Sequence, residues 1–376
     1  MRNRRRPHLP LLAAAGISIA ALILAGCSGA DEATSTTTPS ASTSSDSSSS
    51  ASSGDVVALA EAFAATLSDD QLSELNQDYS FDNAANWSNL PNALLGGGGP
   101  GGGSGSGGRV GLQTDSLSDE QWDALLALLA GVTGTAENEG YDEILQHLAG
   151  DDYLADNGGG DDYGRGNYFV AFLGTPSDSG TWELQFGGHH LAVANTYIDG
   201  ALAGATPSFR GMEPMDTVEQ DGVTVQPEQQ ERDAFAALLE SLDDDQLATA
   251  ELSGSYNDIL LGPGEDWAFP SSAEGIAGSE LTEDQKALLL AAIETYVGDI
   301  DDENAATILA EYEGELDDTY VAYSGNTSMT STGDYIRIDG PSVWIEFSMQ
   351  NGIVLSGAHP HAVWRDKDTD YGGTTS

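Results

Sequence analysis

Of the six histidines in this chain, one, His8, lies in a leader, and four of the other five stand as two pairs, His189 with His190 and His359 with His361. On a strand, side chains two residues apart share a face, whereas neighbours point to opposite faces. His359 and His361 are therefore expected to converge on one centre, and only one of His189 and His190 to join them. Glu346 is a candidate fourth group. Three imidazoles with a carboxylate suit zinc or copper better than calcium or magnesium, which take oxygen ligands. The same residues also admit a structural reading, in which the histidines cap backbone carbonyls and Pro360 marks an edge strand or loop.

The few basic residues give a second set. Arg165, Arg210, Arg337 and Arg365 sit in or beside aromatic and histidine-rich segments. An anion clamp for a substrate carboxylate or phosphate is one use for Arg165, Arg210 and Arg365. Pairing with a carboxylate of the same chain, as with Asp366 beside Arg365, is the plainer one. A third set, Asp151, Asp152, Asp156, Asn157, Asp161 and Asp162, forms an acidic, Gly-rich stretch with calcium-ligand chemistry but without EF-hand spacing. No G-x-S-x-G elbow, Walker loop or H-E-x-x-H helix is present. The single cysteine, Cys27, excludes intrachain disulfides, Cys-rich zinc sites and a Cys nucleophile in the folded body.

Charge bounds the partners. The chain carries 61 acids and 12 bases, and four of the bases, Arg2, Arg4, Arg5 and Arg6, precede an uncharged stretch from Leu11 to Gly26. Without that leader, 8 bases face 61 acids, a net charge of −53. Such a polyanion repels nucleic acid and anionic lipid. The uncharged stretch is short of the roughly 20 apolar residues of a membrane span and suits a secretory signal. It ends in Leu24-Ala25-Gly26-Cys27, which resembles the lipobox of bacterial lipoproteins. That resemblance implies a signal peptide over 1–26, lipidation of Cys27 with more than one acyl chain, and an outward-facing place at the cell membrane. Residues 28–54, almost all Ser, Thr, Ala and Asp, then read as a disordered tether within a 27–54 linker.

The elements that must position these groups read as α+β, in two similar halves, 55–215 and 216–376, packed as one unit. Phe63-Ala-Ala-Thr-Leu67 with Asp70-Gln71-Leu72 returns as Phe235-Ala-Ala-Leu238-Leu239 with Asp245-Gln246-Leu247. Leu117-Ser118-Asp119-Glu120-Gln121 returns as Leu281-Thr282-Glu283-Asp284-Gln285, with the capping-box spacing of a helix start. Tyr168–Gly174 returns as Tyr320–Gly325. Shorter helices are expected over Tyr141–Leu148 and Asn304–Tyr312. Alternating strands follow, with Trp182, Leu184 and Phe186 on one face, then Ile336 and Ile338, then Val343, Ile345 and Phe347. Conserved order of these matches points to an internal duplication, each half being helices followed by antiparallel strands. The tract Gly96–Gly108 reads as a flexible loop, and its G-x-G-x-x-G follows from composition alone.

Gly187-Gly188-His189-His190-Leu191, Thr206-Pro207-Ser208-Phe209 with Gly211 and Glu213-Pro214, Gly340-Pro341 with Glu346-Phe347, and His359-x-His361 with Arg365-Asp366 and Asp370-Tyr371-Gly372 resemble a bacterial family catalogued as domain of unknown function 3500. The resemblance runs from about residue 55 to the C-terminus and implies that both histidine pairs belong to its signature. It supplies no reaction. Three functions remain open: a lipid-anchored surface protein with a small-molecule or metal site at the histidines, a non-catalytic binding or interaction module with structural histidines, and a hydrolase acting on envelope or extracellular substrates.

Overall fold

The computed structural model describes residues 53–95, 109–213 and 215–375. Cys27, nearly all of the 27–54 linker and the Gly96–Gly108 loop lie outside the described residues.

The described elements fall into two successive runs, each with helices before its main antiparallel strands. The first has helices α1 (Ser53–Ala64), α2 (Asp69–Leu75), α3 (Phe81–Ala84), α4 (Asp119–Ala130) and α5 (Gly140–Leu154). Its strands are β1 (Asn76–Gln77), β2 (Leu112–Gln113), β3 (Phe169–Leu173), β4 (Thr181–Gly188), β5 (Leu191–Ile198), β6 (Ala201–Gly204) and β7 (Ser208–Gly211). A small hairpin, β8 (Val218–Gln220) with β9 (Val223–Val225), leads to the second run. There α6 (Gln229–Ser241), α7 (Asp244–Ala250), α8 (Glu283–Val297) and α9 (Asp302–Glu315) accompany β10 (Ile276–Ala277), β11 (Tyr320–Ser324), β12 (Tyr335–Asp339), β13 (Val343–Asn351) and β14 (Ala358–Asp366). The fold is mixed helix and strand, as the α+β reading requires. Among the described residues, no helix is long and apolar enough to cross a membrane.

The helix starts are set by local chemistry. Ser68, Ser118, Asp243 and Thr282 each accept a hydrogen bond from the backbone N–H three residues on, while the side-chain oxygen of the Gln at that position accepts from the cap's own backbone N–H. Each pair satisfies two of the free groups that a helix terminus leaves. The same glutamines then bond one another: Gln71 with Gln121 at 3.0 and 3.2 Å, and Gln246 with Gln285 at 2.8 and 3.0 Å. Gly111 and Gly275 stand just before β2 and β10 at φ of +102° and +105°. A Cβ there would lie 2.3 Å from the Val170 carbonyl oxygen and 2.1 Å from that of Val321. Only glycine allows that approach in the left-handed region.

Among the described residues, both strand groups belong to one twelve-stranded sheet, joined where β7 pairs antiparallel with β14. Helices cover one face in two apolar clusters, α1, α4 and α5 over β3–β5, and α6, α8 and α9 over β11–β14. On the opposite face the long connections 79–95 and 252–275 lie against a further apolar cluster containing Trp87, Phe209, Val363 and Tyr371. Both faces are therefore covered. Glu183 and Gln185, on the side of β4 away from the helices, are buried with 0% and 8% exposure, beneath the first connection, where Gln185 Nε2 donates to the Ala84 carbonyl oxygen at 2.7 Å.

Candidate metal centre

The join between β7 and β14 places the histidines. His359, His361, Val363 and Arg365 share the face of β14 opposite the helices, and Gly211 stands across from His361. With no side chain, Gly211 leaves room for the His361 ring, whose Cδ2 would lie 3.3 Å from a Cβ there. His189 and His190 are not strand residues. They form the two-residue turn between β4 and β5, and His190 takes the left-handed conformation at φ +63°. A non-glycine residue at that φ stores strain of order 1 kcal/mol, which the surroundings must hold. The Asn89 carbonyl accepts the His190 N–H at 3.1 Å, and the Tyr168 hydroxyl donates to the His189 carbonyl at 2.9 Å. The Tyr168 ring fills the space where a Cβ of Gly188 would lie.

This turn sends its two rings different ways. His190 joins His359 and His361: ring centroids lie 5.1 Å apart in all three pairs, and His190 Nε2 lies 3.2 Å from His361 Nε2. One nitrogen from each of the three falls within 4.8 Å of the others. His189 stacks on His190 at 3.7 Å and gives its Nδ1–H to Asp151 Oδ1 at 2.7 Å. His361 donates Nδ1–H to Asp258 Oδ1 at 3.0 Å, because a carboxylate only accepts, and this leaves Nε2 with a lone pair facing the cluster. Both ring nitrogens of His359 are without a hydrogen-bond partner, although the residue is 1% exposed. Burial, then the neighbouring imidazoles, push His190 well below its ordinary value and His359 down to about 2. Three imidazoles therefore face one point, with no carboxylate in the group.

Glu346 does not join them. Its two oxygens accept from the Leu260 and Leu261 backbone N–H groups at 2.6 and 2.9 Å, the Tyr335 hydroxyl at 2.6 Å and Trp344 Nε1 at 2.8 Å. Those four bonds use its acceptor capacity and fasten the connection that brings Asp258 to His361. Arg365 holds the same connection through the Leu261 carbonyl at 3.0 Å and pairs with Asp370 at 2.7 Å. Arg210 points to the helix face, paired with Glu143 at 2.7 Å and Asp299 at 3.0 Å. Arg165 pairs with Asp152 at 2.5 Å, half-exposed. All three arginines expected as anion-binding or pocket-lining groups are thus ion-paired within the chain. The acidic stretch expected to suit calcium is likewise divided, with Asp151 serving His189 and the Gly164 N–H, Asp152 serving Arg165, and Asp156 serving Gln220.

A cleft of about 290 Å³ has His359 in its wall, together with Glu213, Arg232, Thr330 and Leu355. Asp258 was not singled out in the sequence, where it is one acid among 61. Only the path of the connection brings it to the ring.

The family model described as "Protein of unknown function (DUF3500)" matches residues 49–373, and the chain belongs to that family. Neither a comparison with curated proteins nor one with solved structures finds a match.

Proposed function

For this member of a family without an assigned reaction, we propose a lipid-anchored, outward-facing surface protein that binds zinc or copper through His190, His359 and His361. The observation that carries the reading is His359, a buried imidazole whose two nitrogens have no hydrogen-bond partner, beside two others. An unpaired buried polar group costs about 1–3 kcal/mol, and a metal ion offsets that cost. Spacing supports the same reading. Two nitrogens 3.2 Å apart, each about 2.05 Å from one metal, subtend about 100° there, close to a tetrahedral angle. Asp258 behind His361 supplies the carboxylate that orients a metal-bound imidazole. Glu346 and Arg365 act one step further out, by holding that connection.

Anchoring rests on the lipobox-like Leu24–Cys27, and the two-half organisation, 55–215 and 216–376, on internal duplication. The duplication is supported by the repeated capping boxes, the Gln71–Gln121 and Gln246–Gln285 amide pairs, and the equivalent Gly111 and Gly275.

The test uses the full-length chain stripped with chelator and titrated separately with Zn²⁺ and Cu²⁺. Wild type is expected to take up an ion with imidazole ligation that a His359→Ala, His361→Ala double variant lacks. Equal binding by both proteins would leave the histidines structural. Anchoring is read in the same preparations: Cys27→Ala should release the protein from membranes or leave the precursor unprocessed. Unchanged attachment and size would end the lipoprotein reading.

A second reading, hydrolysis of an envelope or extracellular substrate, is favoured by the cleft that reaches His359. A zinc ion with three protein ligands keeps a position for water, whose pKa it lowers to about 7. Zinc-dependent ester or phosphoester cleavage lost in the double variant would support it.

A further inference from the structure

On the other side of β7, beneath the helices, lies a second buried polar group that owes nothing to the paired histidines. Glu143 and His147 stand four residues apart on α5, and so on one face of it, while Glu228 stands at the start of α6. Their exposures are 0%, 1% and 0%. His147 Nδ1 lies 2.9 Å from the Glu143 carbonyl oxygen, and a carbonyl can only accept, so Nδ1 carries the proton and Nε2 a lone pair. That lone pair faces Glu228 Oε1 at 3.8 Å, and none of His147 Nε2, Glu143 Oε1 or either Glu228 oxygen has a hydrogen-bond partner. Acceptors turned toward acceptors in a dry interior repel unless something positive lies between them.

The charge around them is also unbalanced. Arg210 is committed to Glu143 Oε2 and Asp299 Oδ2, and among the described residues neither Glu228 nor Glu231 forms an ion pair with an arginine or lysine, although the Arg210 charge is felt by both. Glu228 sits in the left-handed region at φ +64°, and its side chain is fully buried.

We propose that Glu143, His147 and Glu228 form a second site, for a divalent transition-metal cation. One atom from each lies within 4.8 Å of the others. One imidazole and two carboxylates suit zinc, whereas calcium takes six to eight oxygens. The Glu143 carbonyl fixes the His147 tautomer as an outer partner does in metal sites. This site is independent of the three-histidine centre, which draws on neither α5 nor α6 for its ligands.

The experiment counts zinc ions per full-length chain after chelation and reloading, in wild type, in His359→Ala, His361→Ala, in Glu228→Gln and in His147→Gln. The double variant should retain one ion, bound by a single imidazole and oxygen ligands in its X-ray absorption spectrum. Glu228→Gln and His147→Gln should each weaken that ion by at least about 100-fold, a loss no smaller than outer-partner changes produce. A double variant that binds no zinc overturns the proposal, as does a retained ion that both single variants leave unchanged. So does Glu228→Gln folding with higher resistance to urea while the zinc count is unaltered, which would make the cluster a set of protonated carboxyls. If Glu228→Gln fails to fold, His147→Gln and the spectrum of the double variant decide.

Discussion

The two buried polar centres on either side of β7 and β14 are deficient in opposite senses. On the face away from the helices, three imidazoles meet with no acid among them; Asp258 stands behind His361, and Asp151 holds the neighbouring His189. On the helix face, Glu143, Glu228, Glu231 and Asp299 crowd around one guanidinium, Arg210, and one imidazole. Alternation along β7 separates them, with Phe209 and Gly211 on the histidine side and Arg210 on the other. The lesson is that a polyanionic chain sorts its few bases. Arg210, Arg337, Arg365 and the five histidines of the described residues are placed inside, while most of the described acids are not buried.

The comparison breaks most sharply at Arg210. Replacing it with Met leaves Glu143 and Asp299 buried without their counter-charge and should cost about 3–5 kcal/mol, measured by urea denaturation. Arg165→Met, at a half-exposed pair, should cost within about 0.5 kcal/mol. Equal effects would mean that the helix-face centre does not depend on its single guanidinium.

Glu183 offers a third buried carboxylate, held only by neutral donors, Gln185 Nε2 at 2.8 Å and Thr196 Oγ1 at 3.0 Å, with Tyr79 nearby. Burial raises it from 4.5 to about 7. Between those values Glu183 binds more protons in the folded state than in the unfolded state, so its own contribution to stability should fall as pH rises from about 4.5 to about 7 and level off above. Glu183→Gln should remove that slope and add about 3 kcal/mol at pH 8. A pH profile indistinguishable from wild type would show that Glu183 ionises freely in the fold.

The smallest expected effect sharpens the histidine side. Asp258→Ala removes the partner of His361 and should weaken zinc or copper there by about 10–100-fold, without changing zinc bound in a His359→Ala, His361→Ala background. Calorimetric titration reads both. No change in either would place Asp258 outside the site.

What the residues alone determined was local. Capping boxes start helices at Ser68, Ser118, Asp243 and Thr282, each three residues before a Gln, because the bonds are made within one turn. The expected helices over Tyr141–Leu148 and Asn304–Tyr312 lie inside α5 and α9, which run further at both ends because tertiary packing extends a short amphipathic stretch. Period-two spacing puts His359 and His361 on one side of β14. Glu143 and His147, four apart on α5, carry a signal of the same kind, but in a chain with 61 acids that spacing does not stand out.

Only the tertiary structure decided the rest. His190 reaches the centre from a turn in the left-handed conformation, and strand alternation does not describe a turn. Glu346 lies on the same face of the sheet as His361, yet the Leu260 and Leu261 N–H groups, 86 and 85 residues away in sequence, take its oxygens. Ligand sets and ion pairs depend on which distant backbone donors and charges arrive first at a buried oxygen or nitrogen. That is set by the pairing of β7 with β14 and by the connections laid across it, since a buried polar group must be satisfied by whatever neighbour the fold supplies.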